Sequence, residues 1–189
     1  MRFKLLGVNF TITYMFSLSL TLFIALDKSR IILPLIVSVL IHELSHLIVL
    51  TIFKSKPKEI ILSLGTINIK NNATLSLKEE IIVLLAGPLA NFFVFLLCYA
   101  LDLNENFANI NLILFVTNMF CIEGLDGGII IACLIKKFFS TNIAKKIIFL
   151  IKILNILLFS LVFFLGFIKN YINVTLIFFI IYILLKKGE

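Results

Sequence analysis

Long apolar runs separated by short charged or polar joints divide the chain into six stretches, near residues 8–26, 31–53, 80–101, 107–135, 145–167 and 171–185. A helix needs ~20 predominantly apolar residues to cross the hydrocarbon core of a bilayer, so the pattern predicts an all-α polytopic membrane protein with about six transmembrane helices. The fourth stretch is longer than one crossing and is interrupted by Gly124, Gly127 and Gly128, which predicts a broken helix. Non-helical backbone at membrane depth is tolerated only where it is buried in protein or lines a wet cavity, so a broken span points to a site. The longest joint, 54–79, has another period. Ile60, Leu62 and Leu64, then Ile67 and Ile69, alternate with Ser63, Thr66, Asn68 and Lys70 around Gly65, and Asn71-Asn72 adds a second turn signal. Alternation by two predicts short strands within 58–77, forming a small β-hairpin or three-stranded patch at the membrane surface.

Charge orients the spans. Arg2 and Lys4 precede the first; Lys54, Lys56, Lys58, Lys70 and Lys78 follow the second; Lys136, Lys137, Lys145 and Lys146 follow the fourth; Lys186 and Lys187 end the chain. These thirteen cations face only Lys28, Arg30 and Lys169 on the other side, which predicts that both termini are cytoplasmic. Lys152 lies inside the fifth span, near enough to its cytoplasmic end to snorkel. Composition narrows the class further: 61% of residues are hydrophobic and 14% charged, where a soluble domain has ~45–50% and ~25%. An ordinary soluble domain, a disordered chain and, despite the formal charge of +7, a basic nucleic-acid binder are excluded. Met1-Arg-Phe-Lys before an apolar run has the outline of a signal peptide but no Ala-x-Ala cleavage pattern, so the run is expected to be the first span. Cys98, Cys121 and Cys133 form no C-x-x-C pair and read as small buried hydrophobes. One transmembrane domain over 1–189 is expected, with no appended soluble domain.

The chain has two histidines, and both lie in His42-Glu43-Leu44-Ser45-His46 inside the second apolar stretch. Residues four apart share one helix face, so both imidazoles can reach one metal ion. This is the zinc-protease pattern, in which the glutamate beside the first ligand acts as general base toward water. One Glu and two His within a lipid-spanning helix are expensive unless liganded, paired or hydrated. Catalytic zinc takes three protein ligands, so a third is needed. Of the three aspartates, Asp27 and Asp102 lie in joints where solvation accounts for them, whereas Asp126 lies in the broken span, in Leu125-Asp126-Gly127-Gly128. His46 precedes Lys54 by eight residues and Asp126 precedes Lys136 by ten. At ~1.5 Å per helical residue both sit ~12–15 Å from the cytoplasmic face, at matching depth.

These residues make the sequence similar to the intramembrane site-2 protease metalloproteases. The resemblance rests on His42-Glu43-Leu44-Ser45-His46, on Ala86-Gly87-Pro88-Leu89-Ala90-Asn91, and on Asn118 followed by Leu125-Asp126-Gly127-Gly128, and it covers nearly the whole chain. Leu77-Lys78-Glu79-Glu80 leading to Ala86-Gly87-Pro88 looks most like the sporulation branch, whose members clip a membrane-associated pro-sigma factor. The resemblance implies that His42, His46 and Asp126 bind one zinc ion, that Glu43 is the catalytic base, and that Asn118 and Asn91 contact the substrate backbone or the developing oxyanion. It also implies a membrane-associated protein substrate cut near the cytoplasmic face, inhibitory membrane partner proteins and, in a spore-former, a place in the mother-cell membrane around the forespore. There are departures. Ser45 stands where glycine is commoner, and Cys121, Glu123 and Gly124 replace a stretch that usually reads N-x-x-P-x-x-P-L-D-G. Gly124 can still break the helix, and Glu123 is the alternative third ligand. The C-terminal nucleotide-sensing domain of that branch is not expected after the sixth span.

A helical substrate hides its carbonyls in hydrogen bonds and must unwind before it is cut. An edge strand within 58–70 can hold it extended by strand addition. Two other classes compete: a membrane metal transporter, which usually shows paired repeats or several intramembrane carboxylates, and a catalytically silent membrane scaffold, against which the intact ligand set argues.

Overall fold

The computed structural model describes residues 2–5, 8–14, 17–18, 21, 24–25, 27, 31–55, 57–63, 66–71, 75–122 and 124–168. The expected sixth span, 171–185, and Glu123 lie outside these residues. The chain forms two compact units, Met1–Thr117 and Asn118–Glu189.

The first unit contains strands β1 (Arg2–Leu5) and β2 (Val8–Ile12), helix α1 (Ile32–Ile52), strands β3 (Pro57–Ser63) and β4 (Thr66–Asn71), helix α2 (Leu77–Ala100) and most of helix α3 (Glu105–Met119). The strands form one sheet in the order β1-β2-β3-β4. β1 and β2 are antiparallel, β2 and β3 are parallel with Asn9 opposite Glu59 and Ile12 opposite Leu62, and β3 and β4 are antiparallel with Ile60 opposite Ile69 and Ser63 opposite Thr66. Parallel neighbours need a crossover of a dozen or more residues, and the crossover from β2 to β3 carries α1.

This sheet corrects the sequence reading at one end. Residues 8–26 are expected as a transmembrane helix, yet Val8–Ile12 is a strand. The reason lies in the local pattern: Val8, Phe10 and Ile12 alternate with Asn9 and Thr11. Averaging hydropathy over a span-length window hides this period of two, and the pairing partner β3 is about fifty residues away in sequence. The sheet is therefore four-stranded, with an N-terminal hairpin added to the strands of the joint.

Helices α1 and α2, of 21 and 24 residues, are long and apolar enough to cross a membrane. At ~1.5 Å per residue each spans at least the ~30 Å hydrocarbon core. Their burial is inverted relative to a soluble protein. On α1 the buried residues are Ser38, His42, His46 and Leu50, one row four residues apart, while Leu40, Leu44 and Ile48 are 50–58% exposed. On α2 the buried row includes Val83, Gly87 and Asn91, and Ile82, Leu89 and Phe93 are exposed. Leucines facing outward around a polar seam suit a hydrocarbon surrounding, where polar groups must find partners inside. α2 begins with a capping box: Ser76 Oγ accepts from the Glu79 N–H, and Glu79 Oε2 accepts from the Ser76 N–H.

The second unit contains the end of α3, helix α4 (Asp126–Phe138) and helix α5 (Thr141–Ile168). Residues 120–122, 124 and 125, between α3 and α4, are non-helical, and Gly124 has φ 89°, a left-handed conformation that favours glycine. Gly127 and Gly128 pack against the segment's backbone. A Cβ on Gly127 would stand 2.9 Å from the Phe120 carbonyl oxygen, and one on Gly128 would collide with the Ile122 carbonyl. Asn155 of α5 donates from Nδ2 to the Cys121 carbonyl at 2.8 Å. That bond satisfies a backbone acceptor that no helix uses, as irregular backbone in an apolar chain requires.

Candidate metal centre

The two histidines sit on the buried row of α1, each 6% exposed. Each ring is held at Nδ1 by α2. His46 Nδ1 lies 2.7 Å from the Val83 carbonyl oxygen, and His42 Nδ1 lies 2.7 Å from Asn91 Oδ1. A carbonyl oxygen only accepts, so His46 carries its proton on Nδ1. The Asn91 amide is oriented by its other bonds: Nδ2 donates to the Ser38 carbonyl at 3.1 Å and to Asn111 Oδ1 at 2.8 Å. Oδ1 is then an acceptor, and His42 also carries its proton on Nδ1. A backbone carbonyl behind the imidazole is a usual support of a metal-ligating histidine, and the Asn91 amide oxygen gives His42 the same kind of acceptor.

With both protons at Nδ1, both Nε2 atoms present lone pairs, and these atoms are 3.1 Å apart. Two imidazole acceptors at that distance repel unless a cation is shared between them. Two nitrogens bound tetrahedrally to one zinc at ~2.0–2.1 Å stand about 3.3 Å apart, close to the spacing found. The space around the two nitrogens is kept clear by Gly87, where a Cβ would stand 2.7 Å from His42 Nε2 and would press still harder on His46. Only glycine leaves room for an ion against both rings. Asp126 opens α4, where its negative charge is favoured by the helix N-terminus, and its Oδ2 atom is buried. Two imidazoles presenting Nε2 to one point suit zinc.

The remaining site candidates occupy different settings. Glu43 is half-buried on α1 beside His42, and Asn118 is half-buried in the last turn of α3. Asn91 is fully buried, and both of its N–H groups are committed to Ser38 and Asn111. Its place is behind His42 and not at a surface a substrate chain could reach. Ser38, Asn111 and Asn155 belong to no motif in the sequence. Each carries the same signal as the histidines, a polar side chain within an apolar stretch.

No family model matches the chain, and no curated protein matches it. Among solved structures it is similar to the site-2 protease from Methanocaldococcus jannaschii, with 24% identity, a TM-score of 0.69, and coverage of 97% of this chain and 91% of that one. The likeness shows a shared fold over nearly the full length of both chains.

Proposed function

We propose that this protein is an intramembrane zinc metalloprotease of the site-2 type. The observation that carries the reading is the pair of Nε2 atoms, 3.1 Å apart with both rings held as Nδ1–H, over a glycine that leaves them open. His42, His46 and Asp126 are the metal ligands, and Glu43 is the catalytic base. Zinc, when bound, supplies a Lewis acid that activates water and polarises a carbonyl.

Glu43 accepts a proton from the attacking water and returns it to the leaving nitrogen of the scissile peptide. Asn118 donates a hydrogen bond to the carbonyl oxygen as negative charge grows on it. Burial of the imidazoles keeps bulk water from competing and strengthens the electrostatics at the reacting atoms. The substrate is a membrane-associated protein whose cut segment lies extended. β4 forms one edge of the sheet, and strand addition along it would hold that segment unwound. The cut is made toward the cytoplasmic face, with both termini of the enzyme in the cytoplasm. A sporulation pro-sigma factor is the substrate class that the resemblance of 77–91 supports, with inhibitory membrane proteins as partners and the membrane around the forespore as the location.

The test is Glu43→Gln in the full chain, co-expressed with a membrane-tethered pro-sigma factor and separately with a single-span reporter. Retained zinc with cleavage of both abolished is the expected result. Cleavage that survives the substitution would overturn the protease reading. Cleavage of the reporter alone by the unaltered chain would overturn the substrate class and leave the enzyme.

A further inference from the structure

A chain of oriented hydrogen bonds runs from α3 through α2 to the first histidine. Asn111 Nδ2 donates to Ser38 Oγ at 2.9 Å and to the Phe107 carbonyl at 2.9 Å, and Ser38 Oγ donates onward to the Pro34 carbonyl at 2.9 Å. Both Asn111 N–H groups are thereby spent, so its Oδ1 faces Asn91 Nδ2 as the acceptor, 2.8 Å away. Asn91 uses its second N–H on the Ser38 carbonyl, which leaves Oδ1 for the His42 ring. Ser38, Asn91 and Asn111 are each 0% exposed. Water therefore cannot stand in for a lost member, and each amide has one orientation that satisfies it.

The order of the chain matters because an isolated Asn91 could turn over. Rotated by half a turn, its amide would offer N–H to His42 Nδ1, and His42 would place its proton on Nε2, the atom that faces His46. Asn111 prevents this, because its Oδ1 accepts only from the Asn91 N–H. His46 has no such dependence, since the Val83 carbonyl fixes its proton directly.

We propose that Asn111 is a positioning residue of the metal centre, acting through Asn91 to hold His42 in the Nδ1–H form with Nε2 presented to the ion. Ser38 is its anchor, accepting at Oγ from Asn111 and at the carbonyl from Asn91. The inference rests on the metal-centre reading above, and extends the site to α3, which contributes no ligand in this unit.

The experiment uses the full chain in lipid nanodiscs, with an affinity tag free of histidine. The sequence has two histidines, so a 15N-imidazole spectrum reports on these two rings alone. In the unaltered chain, metal-free and zinc-loaded, His42 shows the Nδ1–H form; an Nε2–H form would overturn the proposal. In Asn111→Leu, His42 moves to a mixture of forms while His46 stays as it was, and zinc affinity, read by competition with a chromophoric chelator, falls about 10-fold. In an Asn91→Ala background, Asn111→Leu has no further effect on zinc. An undiminished second loss would show that Asn111 only packs, and would overturn the proposal. Should Asn111→Leu not fold, Ser38→Ala removes one hydroxyl from the same chain and gives a smaller change confined to His42; an equal change at His46 would overturn the proposal. Zinc binding without any cleavage by the unaltered chain sinks the protease reading and leaves this one. Cleavage with His42 unmoved in Asn111→Leu sinks this one alone.

Discussion

Gly87 of α2 and His42 of α1 approach so closely that a Cβ on the glycine would stand 2.7 Å from His42 Nε2. Replacing Gly87 by alanine improves helix propensity by about 0.8–1.0 kcal/mol, so loss of the helix is not the expected effect. The added methyl instead displaces both imidazole edges from the position where an ion fits. Gly87→Ala is expected to keep its circular dichroism and to lose zinc affinity by about 10-fold or more, measured by chelator competition. Full zinc affinity in that variant would show that the rings yield freely, and that the glycine is there for helix packing alone.

The third ligand is tested by exchanging one carboxylate at a time. Asp126 opens α4 and is the proposed third ligand. Asp126→Asn keeps the shape and removes the charge, and bound zinc measured by elemental analysis should fall well below one ion per chain. Glu123→Gln should leave the zinc content unchanged. The reverse result, normal zinc in the first variant and loss in the second, reassigns the ligand to Glu123.

Asn155 secures the non-helical segment that leads into Asp126. Its Nδ2 donates to the Cys121 carbonyl at 2.8 Å and to the Ile151 carbonyl of its own helix at 2.9 Å. Asn155→Leu keeps the branching of the side chain but leaves the Cys121 carbonyl without that donor. The expected loss is about 1–3 kcal/mol of unfolding free energy, read by denaturant titration in mixed micelles. Thiol labelling at Cys121 should quicken, while Cys98, 5% exposed in α2, keeps its rate. A stability loss with no change at Cys121 would place the effect elsewhere in α5.

What could be read from the sequence divides by the range of the interaction involved. The His42–His46 row is a property of one helix, and spacing alone places both rings on one face. Gly124, Gly127 and Gly128 mark the interruption before α4 because each is needed within a few residues of itself, one for a positive φ and two for close backbone approach. The N-terminal strand escapes the hydropathy pattern because its support comes from β3, far along the chain, whereas hydropathy is averaged locally. The resemblance implies substrate contact for Asn91; that it stands behind His42 follows from a contact across 49 residues, which no local pattern encodes. Asn111 sits among Asn104, Asn106 and Asn109, so composition presents it as one more polar residue of a helix entrance. Only the packing of α3 on Ser38 and Asn91 separates it from its neighbours.

Orientation in the membrane follows from charge and can be checked without knowing the substrate. Lys136 and Lys137 close α4, and Lys145 and Lys146 lie in the first turns of α5. The positive-inside bias predicts that these four cations stay on the cytoplasmic side, the orientation proposed above, and Lys136 and Lys137 also complement the negative end of the α4 dipole. A phosphatase reporter, active only outside the cytoplasm, should therefore be silent when fused within 136–146 and active when fused near Asp102, in the turn between α2 and α3. Replacing the four lysines by glutamine should weaken this preference, because Lys and Arg carry the bias. A reporter active within 136–146 would invert the topology, and with it the expectation that the scissile bond is reached from the cytoplasmic side.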